Sequence, residues 1–215
     1  LIAHLIRCDG RKVGMTCTDG IWIDDRRIDN GDCSGPVSAQ TVLAHPQVEA
    51  AVLETARGGI LRAGLGFDCC DVAVVTNIGE GDHLGLEGID TLEKLALVKR
   101  TIVDVVKPTG TAVLNAADPF VAPMSEKCPG KSLMFAIAEH HPALFAHRSA
   151  GKSVIFVRNG SIVLVENGEE TIIDTLTNIP VTMKGHVAFQ VENVLSAAAA
   201  GWSLGLPLSQ IQLGL

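Results

Sequence analysis

Val48-Glu49-Ala50-Ala51-Val52-Leu53 runs directly into Glu54-Thr55-Ala56-Arg57-Gly58-Gly59, and Val72-Ala73-Val74-Val75 runs into Thr76-Asn77-Ile78-Gly79-Glu80-Gly81-Asp82-His83. Short, almost continuously apolar runs rich in Val and bounded by Gly read as parallel strands covered on both faces. In such sheets ligands bind beyond the carboxyl ends of the strands. Glu54, Asp82 and His83 therefore head the candidate site residues, by position as well as by chemistry.

The chain around these strands has 215 residues, 47% hydrophobic and 19% charged, a composition with ample core for one α/β domain. We expect a mainly parallel sheet flanked by helices, with a small antiparallel hairpin region. The formal charge of −7 argues against a nucleic-acid surface, and no basic run is interleaved with aromatics. Small anions could still be held locally by Arg or by a bound metal. Cys8, Cys17, Cys33, Cys69, Cys70 and Cys128 contain no C-x-x-C pair and no secretory signal is evident, so reduced thiols in a cytoplasmic protein are expected. The most apolar region, Val194 to Leu208, is broken by Ser, Gly, Trp and Pro and falls short of a membrane span.

Leu1 to Arg7 has helical periodicity but opens without a cap, as the second half of a helix would, so the sequence is expected to begin in mid-domain. Val13 to Thr18 reads as a strand, Ile21-Trp22-Ile23 and Arg26-Arg27-Ile28 as a hairpin, and Ser38 to Leu43 as a short helix. Asp90-Thr91-Leu92-Glu93 resembles a capping box with Asp90 as the cap, opening a helix that reaches about Lys107 before Pro108-Thr109-Gly110. Thr111 to Leu114 and Lys131 to Ala136 read as strands. Period-two alternation from Ser153 to Thr175, around Asn159-Gly160 and Asn167-Gly168, marks an antiparallel appendage to the parallel core. Val187 to Leu204 is an Ala-rich helix.

Two tempting phosphate loops fail: Gly130-Lys131-Ser132 and Gly151-Lys152-Ser153 have Ser125 and Ala146 where the first Gly of G-x-x-x-x-G-K-[ST] belongs. Gly58-Gly59 reads either as an anion cradle or as a tight strand-to-helix turn. Glu54 could be a surface carboxylate and His83 a satisfied loop histidine. Together at one sheet edge they suit a divalent cation, and the absence of thiolates or several histidines disfavours structural zinc. Lys99 lies seven residues after Leu92, on the same face as Leu95, Ala96, Ile102, Val103 and Val106. An unpaired ammonium there costs several kcal/mol, so Lys99 must snorkel outward, meet a carboxylate or be chemically modified. Asn115 and Asp118 stand at a strand end, where Asp118 reads as a helix cap followed by Pro119.

These residues, taken in order, resemble the Mur-type ATP-dependent ligases. The segments that carry the resemblance are Thr18-Asp19-Gly20-Ile21, Gly31 to Pro36, Glu54 to Arg62, Thr76-Asn77-Ile78 with Asp82-His83-Leu84-Gly85, Val98-Lys99, and Leu114-Asn115-Ala116-Ala117-Asp118-Pro119. The resemblance implies a domain that binds ATP and Mg²⁺, phosphorylates a substrate carboxylate to an acyl phosphate and lets an amino group displace phosphate. It implies that Glu54 and His83 are magnesium ligands and that Lys99 is the lysine many members carbamylate to make a further anionic ligand. Asn115, Asp118 and Asn193 match the residues around adenine and ribose, while Arg57 and Arg62 are assigned to an anionic substrate or phosphate.

Within the family the segments point to the member that adds arginine to the β-carboxylates of a poly-aspartate chain, a cytoplasmic homo-oligomer in its full-length form with no nucleic-acid or membrane partner. Folylpolyglutamate synthase, another amino-acid ligase of the group, or a non-catalytic module remain as alternatives. The family's G-T-N-G-K-T-T loop would stand immediately before Leu1, and the C-terminal domain that closes over the nucleotide would follow. Asn115-Ala116-Ala117-Asp118 replaces the commoner N-A-D-D, and His186-Val187 replaces His-Asn. The chain is therefore expected to be a piece of a larger synthetase, inactive alone.

Overall fold

A computed structural model describes residues 1–79, 84, 85 and 87–215. The chain begins with α1 (Ile2–Cys8), followed by β1 (Val13–Cys17), β2 (Gly20–Ile23), β3 (Arg26–Asn30), α2 (Pro36–Leu43), β4 (Ala50–Leu53), α3 (Arg57–Ala63) and β5 (Cys70–Val75). The second half comprises α4 (Leu92–Asp104), β6 (Val106–Asn115), β7 (Lys131–Ala138), α5 (Pro142–Ser149), β8 (Ser153–Arg158), β9 (Ser161–Glu166), β10 (Glu169–Thr175), α6 (Ala188–Ser203) and α7 (Leu208–Gly214). No described helix is long and apolar enough to cross a membrane.

The strands form two sheets, in the orders β3-β2-β1-β4 and β10-β9-β8-β7-β6-β5. In the first, β1 is parallel to β4 and antiparallel to β2, while β2 and β3 make the expected hairpin. In the second, β5 to β8 are all parallel, and β8, β9 and β10 turn back on one another. The antiparallel strands are appended to the main sheet as expected, since β8 pairs in parallel with β7 through Leu133 to Ala138. Both turns have the expected chemistry: Asn159 and Gly160 adopt φ of 50° and 76°, Asn167 and Gly168 of 53° and 85°, the left-handed pair that tight hairpins need.

Apolar side chains on the two faces of the larger sheet build two cores. One joins α1, α6 and α7 to Val113, Phe135, Ile155 and Leu164; the other joins α4 and α5 to Ala112, Leu114, Met134 and Phe156. The alternation of consecutive residues between opposite cores explains why these strands read as continuous apolar runs.

Three local expectations need correction. Thr91, not Asp90, caps α4: its backbone is extended and its Oγ1 accepts from the Lys94 N–H at 3.3 Å, while Asp90 pairs with the Lys94 ammonium at 2.7 Å. The helix ends at Asp104, and Lys107-Pro108-Thr109-Gly110 lies within β6 as a bulge, the register against β5 jumping from Val106 to Thr111. Val98, not Lys99, occupies the buried stripe of α4 with Leu95 and Val103, and Lys99 is half-buried on its flank.

Candidate functional site

β4 makes its last ladder contact where the Glu54 N–H meets the Thr16 carbonyl at 3.2 Å; the chain then leaves the sheet and the Ala56 N–H donates to the Ser34 carbonyl at 3.1 Å. Ala56, in extended backbone, is the N-cap of α3, so Arg57 opens that helix three residues after Glu54. The first turn of α3 lies against the turn at 34–36: a Cβ on Gly59 would stand 3.2 Å from the Gly35 Cα and 3.4 Å from the Ser34 carbonyl oxygen. Only a glycine fits that approach without displacing the turn. Asp32 holds the turn from the other side, its Oδ1 accepting both the N–H and the hydroxyl of Ser34. Those two donors keep the Asp32 carboxyl below the usual carboxylate range.

Glu54 is exposed at this strand end. A groove of about 660 Å³ between β4 and β5 brings it together with Thr55, with Thr76 and Asn77 from the end of β5, and with Lys99 from α4. Sequence reasoning had named Glu54 and Lys99 but assigned nothing to Thr76 and Asn77. Their signal was the one used for Glu54, a polar side chain immediately after a buried strand. His83, with Asp82, lies outside the described residues.

A second cluster forms on the other side of β5. Asn115 ends β6 with its side chain buried, Oδ1 accepting from the Ala117 N–H at 2.9 Å. Asp118 accepts from the N–H groups of Phe120 and Val121 at 2.8 and 3.0 Å through Oδ1, and from that of Ile78 at 2.7 Å through Oδ2. It does not cap a helix as expected: residues 116–121 form turns and the 3₁₀ helix that follows, Ala122–Glu126, has Val121 as its N-cap, so Asp118 instead holds that turn and clamps the loop that follows β5. Asn193 is exposed on α6, its amide donating to Gln190 of the same helix at 3.2 Å, and does not line the groove between β4 and β5. The Arg62 guanidinium reaches the Glu87 carboxylate at 3.4 Å in a largely solvated ion pair, a contact of small energetic weight.

Among the described residues no three His, Cys, Asp or Glu side chains converge. The strand-end donors are a carboxylate, a hydroxyl and a carboxamide, all hard oxygens and none a thiolate. That set fits Mg²⁺, which keeps several of its waters and needs few protein ligands, better than it fits zinc.

The model of the Mur ligase middle domain matches residues 1–201. The chain belongs to the Mur ligase family. Along its whole length this Mur ligase domain is 46% identical, over 216 residues, to cyanophycin synthetase of Geminocystis herdmanii and 45% identical, over 215 residues, to that of Synechocystis sp., covering 24% of each. It thus spans about a quarter of the length of these curated relatives. Its fold is shared with a UDP-N-acetylmuramoyl-L-alanyl-D-glutamate–2,6-diaminopimelate ligase (TM-score 0.70, 22% identity, 98% of this chain and 41% of that one). It is shared also with the Thermotoga maritima MurF ligase solved in complex with ADP (TM-score 0.54, 18% identity, 98% and 44%).

Proposed function

We propose that this Mur ligase middle domain is the nucleotide-handling part of an ATP-dependent ligase that joins arginine to the β-carboxylates of a poly-aspartate chain. The observation that carries the reading is the shared groove at the ends of β4 and β5, where Glu54 and Lys99 stand with Thr76 and Asn77. Identity of 46% along the whole chain to cyanophycin synthetase supports the choice of acceptor and amino acid.

In this reading a β-carboxylate oxygen attacks the γ-phosphorus of ATP and ADP leaves, giving an acyl phosphate. The arginine α-amine then attacks the acyl carbon, gives up a proton, and phosphate departs as the amide forms. Mg²⁺, when bound, neutralises charge on the phosphate oxygens. Glu54 and His83 would hold it, and Lys99, as a carbamate, would add a further anionic oxygen. Asn115 and Asp118 would face adenine and ribose, with Asn193 contributing from α6. An ionised carboxylate has about four acceptor positions, so Asp118, with three amide donors already bound, retains capacity for a hydroxyl. Arg57, beside Glu54 at the start of α3, and Arg62 would meet an anionic substrate, where a guanidinium makes strong charge-assisted bonds.

The test uses the full-length parent protein with ATP, Mg²⁺, arginine and a poly-aspartate acceptor. ADP release should require both arginine and acceptor, and Glu54→Gln should lower turnover by on the order of a hundredfold or more with an unchanged Tm, because Glu54 is exposed. Release of ADP that is indifferent to arginine or acceptor, or a Glu54→Gln protein that melts early yet keeps its turnover, would overturn the reading.

A further inference from the structure

Glu54 and Ala56 are tied to consecutive residues of β1 by two different routes. The Glu54 N–H meets the Thr16 carbonyl directly, at 3.2 Å. The Ala56 N–H meets the Ser34 carbonyl at 3.1 Å, and the residue before Ser34 returns to the sheet, the Cys33 N–H donating to the Cys17 carbonyl at 3.1 Å. Cys33 is buried with Ile21 and Ile23 of β2 and Val42 of α2 in a third, small core. The loop that carries Glu54 and Thr55 into α3 therefore hangs between two fixed points, and the second of them is a turn rather than a strand.

That turn, at 34–36, is gripped from both ends of α3. Gly59 stands against Ser34 and Gly35 at one end, and beyond the other a Cβ on Gly66, whose φ is 81°, would lie 2.5 Å from the Pro36 carbonyl oxygen. α3 has seven residues and no side chain bonded at its N-cap, too short to hold helical form by itself, so these contacts decide where it starts. Ser34 is buried, and its N–H and hydroxyl both donate to Asp32 Oδ1, at 3.1 and 2.5 Å. Asp32 itself is exposed and does not line the groove that holds Glu54.

We propose, on the ligase reading above, that Asp32 is a positioning residue of the reaction: acting through Ser34 and Ala56, it sets where Glu54 stands at the end of β4. Reacting groups tolerate little displacement, since a shift of about 1 Å can cost on the order of a hundredfold in rate, whereas two hydrogen bonds made by an exposed carboxylate add little to global stability. Losing Asp32 therefore falls on turnover before it falls on folding. A carboxylate that merely shaped its own turn would show the opposite order. One that touched substrate or metal would need its negative charge, while the positioning role needs only the acceptor oxygen.

The test uses the full-length parent protein and begins with a readout that needs no catalysis. In Asp32→Ala the Ala56 amide should exchange on the order of tenfold faster, while the Glu54 amide, bonded directly to β1, keeps its rate. Exchange reports the anchoring whatever the ligase assay gives, so the failure of this proposal and that of the ligase reading are distinguishable. With ATP, Mg²⁺, arginine and a poly-aspartate acceptor, Asp32→Ala should lower kcat on the order of tenfold, with the KM for ATP and the Tm nearly unchanged. Asp32→Asn, whose carbonyl oxygen accepts the same two donors, should restore most of the loss. In a Glu54→Gln background the alanine should cost far less than it does alone, because the group it misplaces is already disabled. An Ala56 amide that keeps its protection, an asparagine protein as slow as the alanine one, or the same fold-loss in both backgrounds would each overturn the proposal. Should Asp32→Ala fail to fold, Ser34→Ala removes only the hydroxyl's bond: a smaller loss of kcat that vanishes in the Glu54→Gln background supports the proposal, and a loss that persists there refutes it.

Discussion

The Asp118 carboxylate accepts the Ile78 N–H at 2.7 Å across 40 positions of sequence. This bond ties the loop leaving β5 to the turn leaving β6, and so fixes Thr76 and Asn77 relative to Asn115. Asp118→Ala should leave the Ile78 and Phe120 amides unsatisfied, Val121 keeping its bond to the carbonyl of residue 118, and cost about 1–3 kcal/mol in urea unfolding. Asp118→Asn separates the two tasks. Its carbonyl oxygen can still cap Phe120 and Val121, but its NH₂ cannot accept from Ile78. The asparagine protein should keep most of its stability while the Ile78 amide exchanges faster, a pattern that hydrogen exchange read residue by residue will show or exclude.

Much of this architecture was legible because its causes are local. The Asn-Gly turns announce themselves through residues that tolerate positive φ, and the buried strands through apolar runs with no polar face. What escaped the sequence depended on distance or on weak local signal. The bond between Asp118 and Ile78 joins segments that no spacing rule connects. Asp90 and Thr91 are both good caps, and the choice of Thr91 follows from Asp90 pairing with Lys94 instead. Pro108 and Gly110 read as a helix stop and a turn, which is what a bulge inside a strand is made of. α5 and α7 are short, with no cap side chain bonded at either start, and owe their helical form to packing against strands and helices already in place. Of the residues lining the groove, Glu54 was singled out by position and Lys99 by a pattern that set it on the wrong face of α4, whereas Thr76 and Asn77 emerged only with the groove.

A network at the far end of the sheet should set acid stability. Arg158 bonds both Glu139 oxygens and, at 2.7 and 3.1 Å, both Glu170 oxygens, while Arg148 meets Glu170 at 2.8 Å. Both guanidinium groups lie over the Phe156 ring, at 5.2 and 5.8 Å from its centroid. Bonding to Arg158 and then to Arg148 brings the Glu170 carboxyl down to about 2. A depressed carboxyl stabilises the fold above its ordinary value near 4.5 and loses that contribution as pH falls towards 2. Arg158→Met keeps an apolar stem on Phe156 but removes the bonds. It should lower Tm by roughly 2–4 °C at neutral pH and flatten the loss of Tm between pH 4.5 and 2, measured at low salt where such pairs are least screened.

His147 should act in a different pH window. It is a buried residue of α5, with Nε2 at 3.1 Å from the Ser132 carbonyl. A carbonyl only accepts, so Nε2 carries the proton. Burial pushes the imidazole below its ordinary 6.5, and the unfolded chain therefore takes up a proton first as pH falls. Stability is complete above about 6.5 and declines below it. His147→Gln, which can still donate to Ser132, should remove that decline below pH 6.5 at some cost in packing. Melting curves of the two proteins at matched ionic strength would coincide in slope across that window if His147 were not the group responsible.

Lys99 separates a working residue from a merely amphipathic one. It sits on the flank of α4, half-buried, in the groove that also holds Glu54. If it carries a carbamate in the full-length enzyme, Lys99→Ala should lose turnover, and acetate or formate should restore part of it by placing an anion in the vacated space. Lys99→Arg should stay inactive with or without the added acid, because a guanidinium keeps its positive charge and presents no oxygen. If instead the side chain serves only as an amphipathic cation on the flank of the helix, arginine would serve equally, alanine would cost little, and added acids would have no effect. Turnover of the three proteins in bicarbonate-free buffer, with and without formate, decides between the two. Full activity of Lys99→Arg there would take Lys99 out of the proposed site.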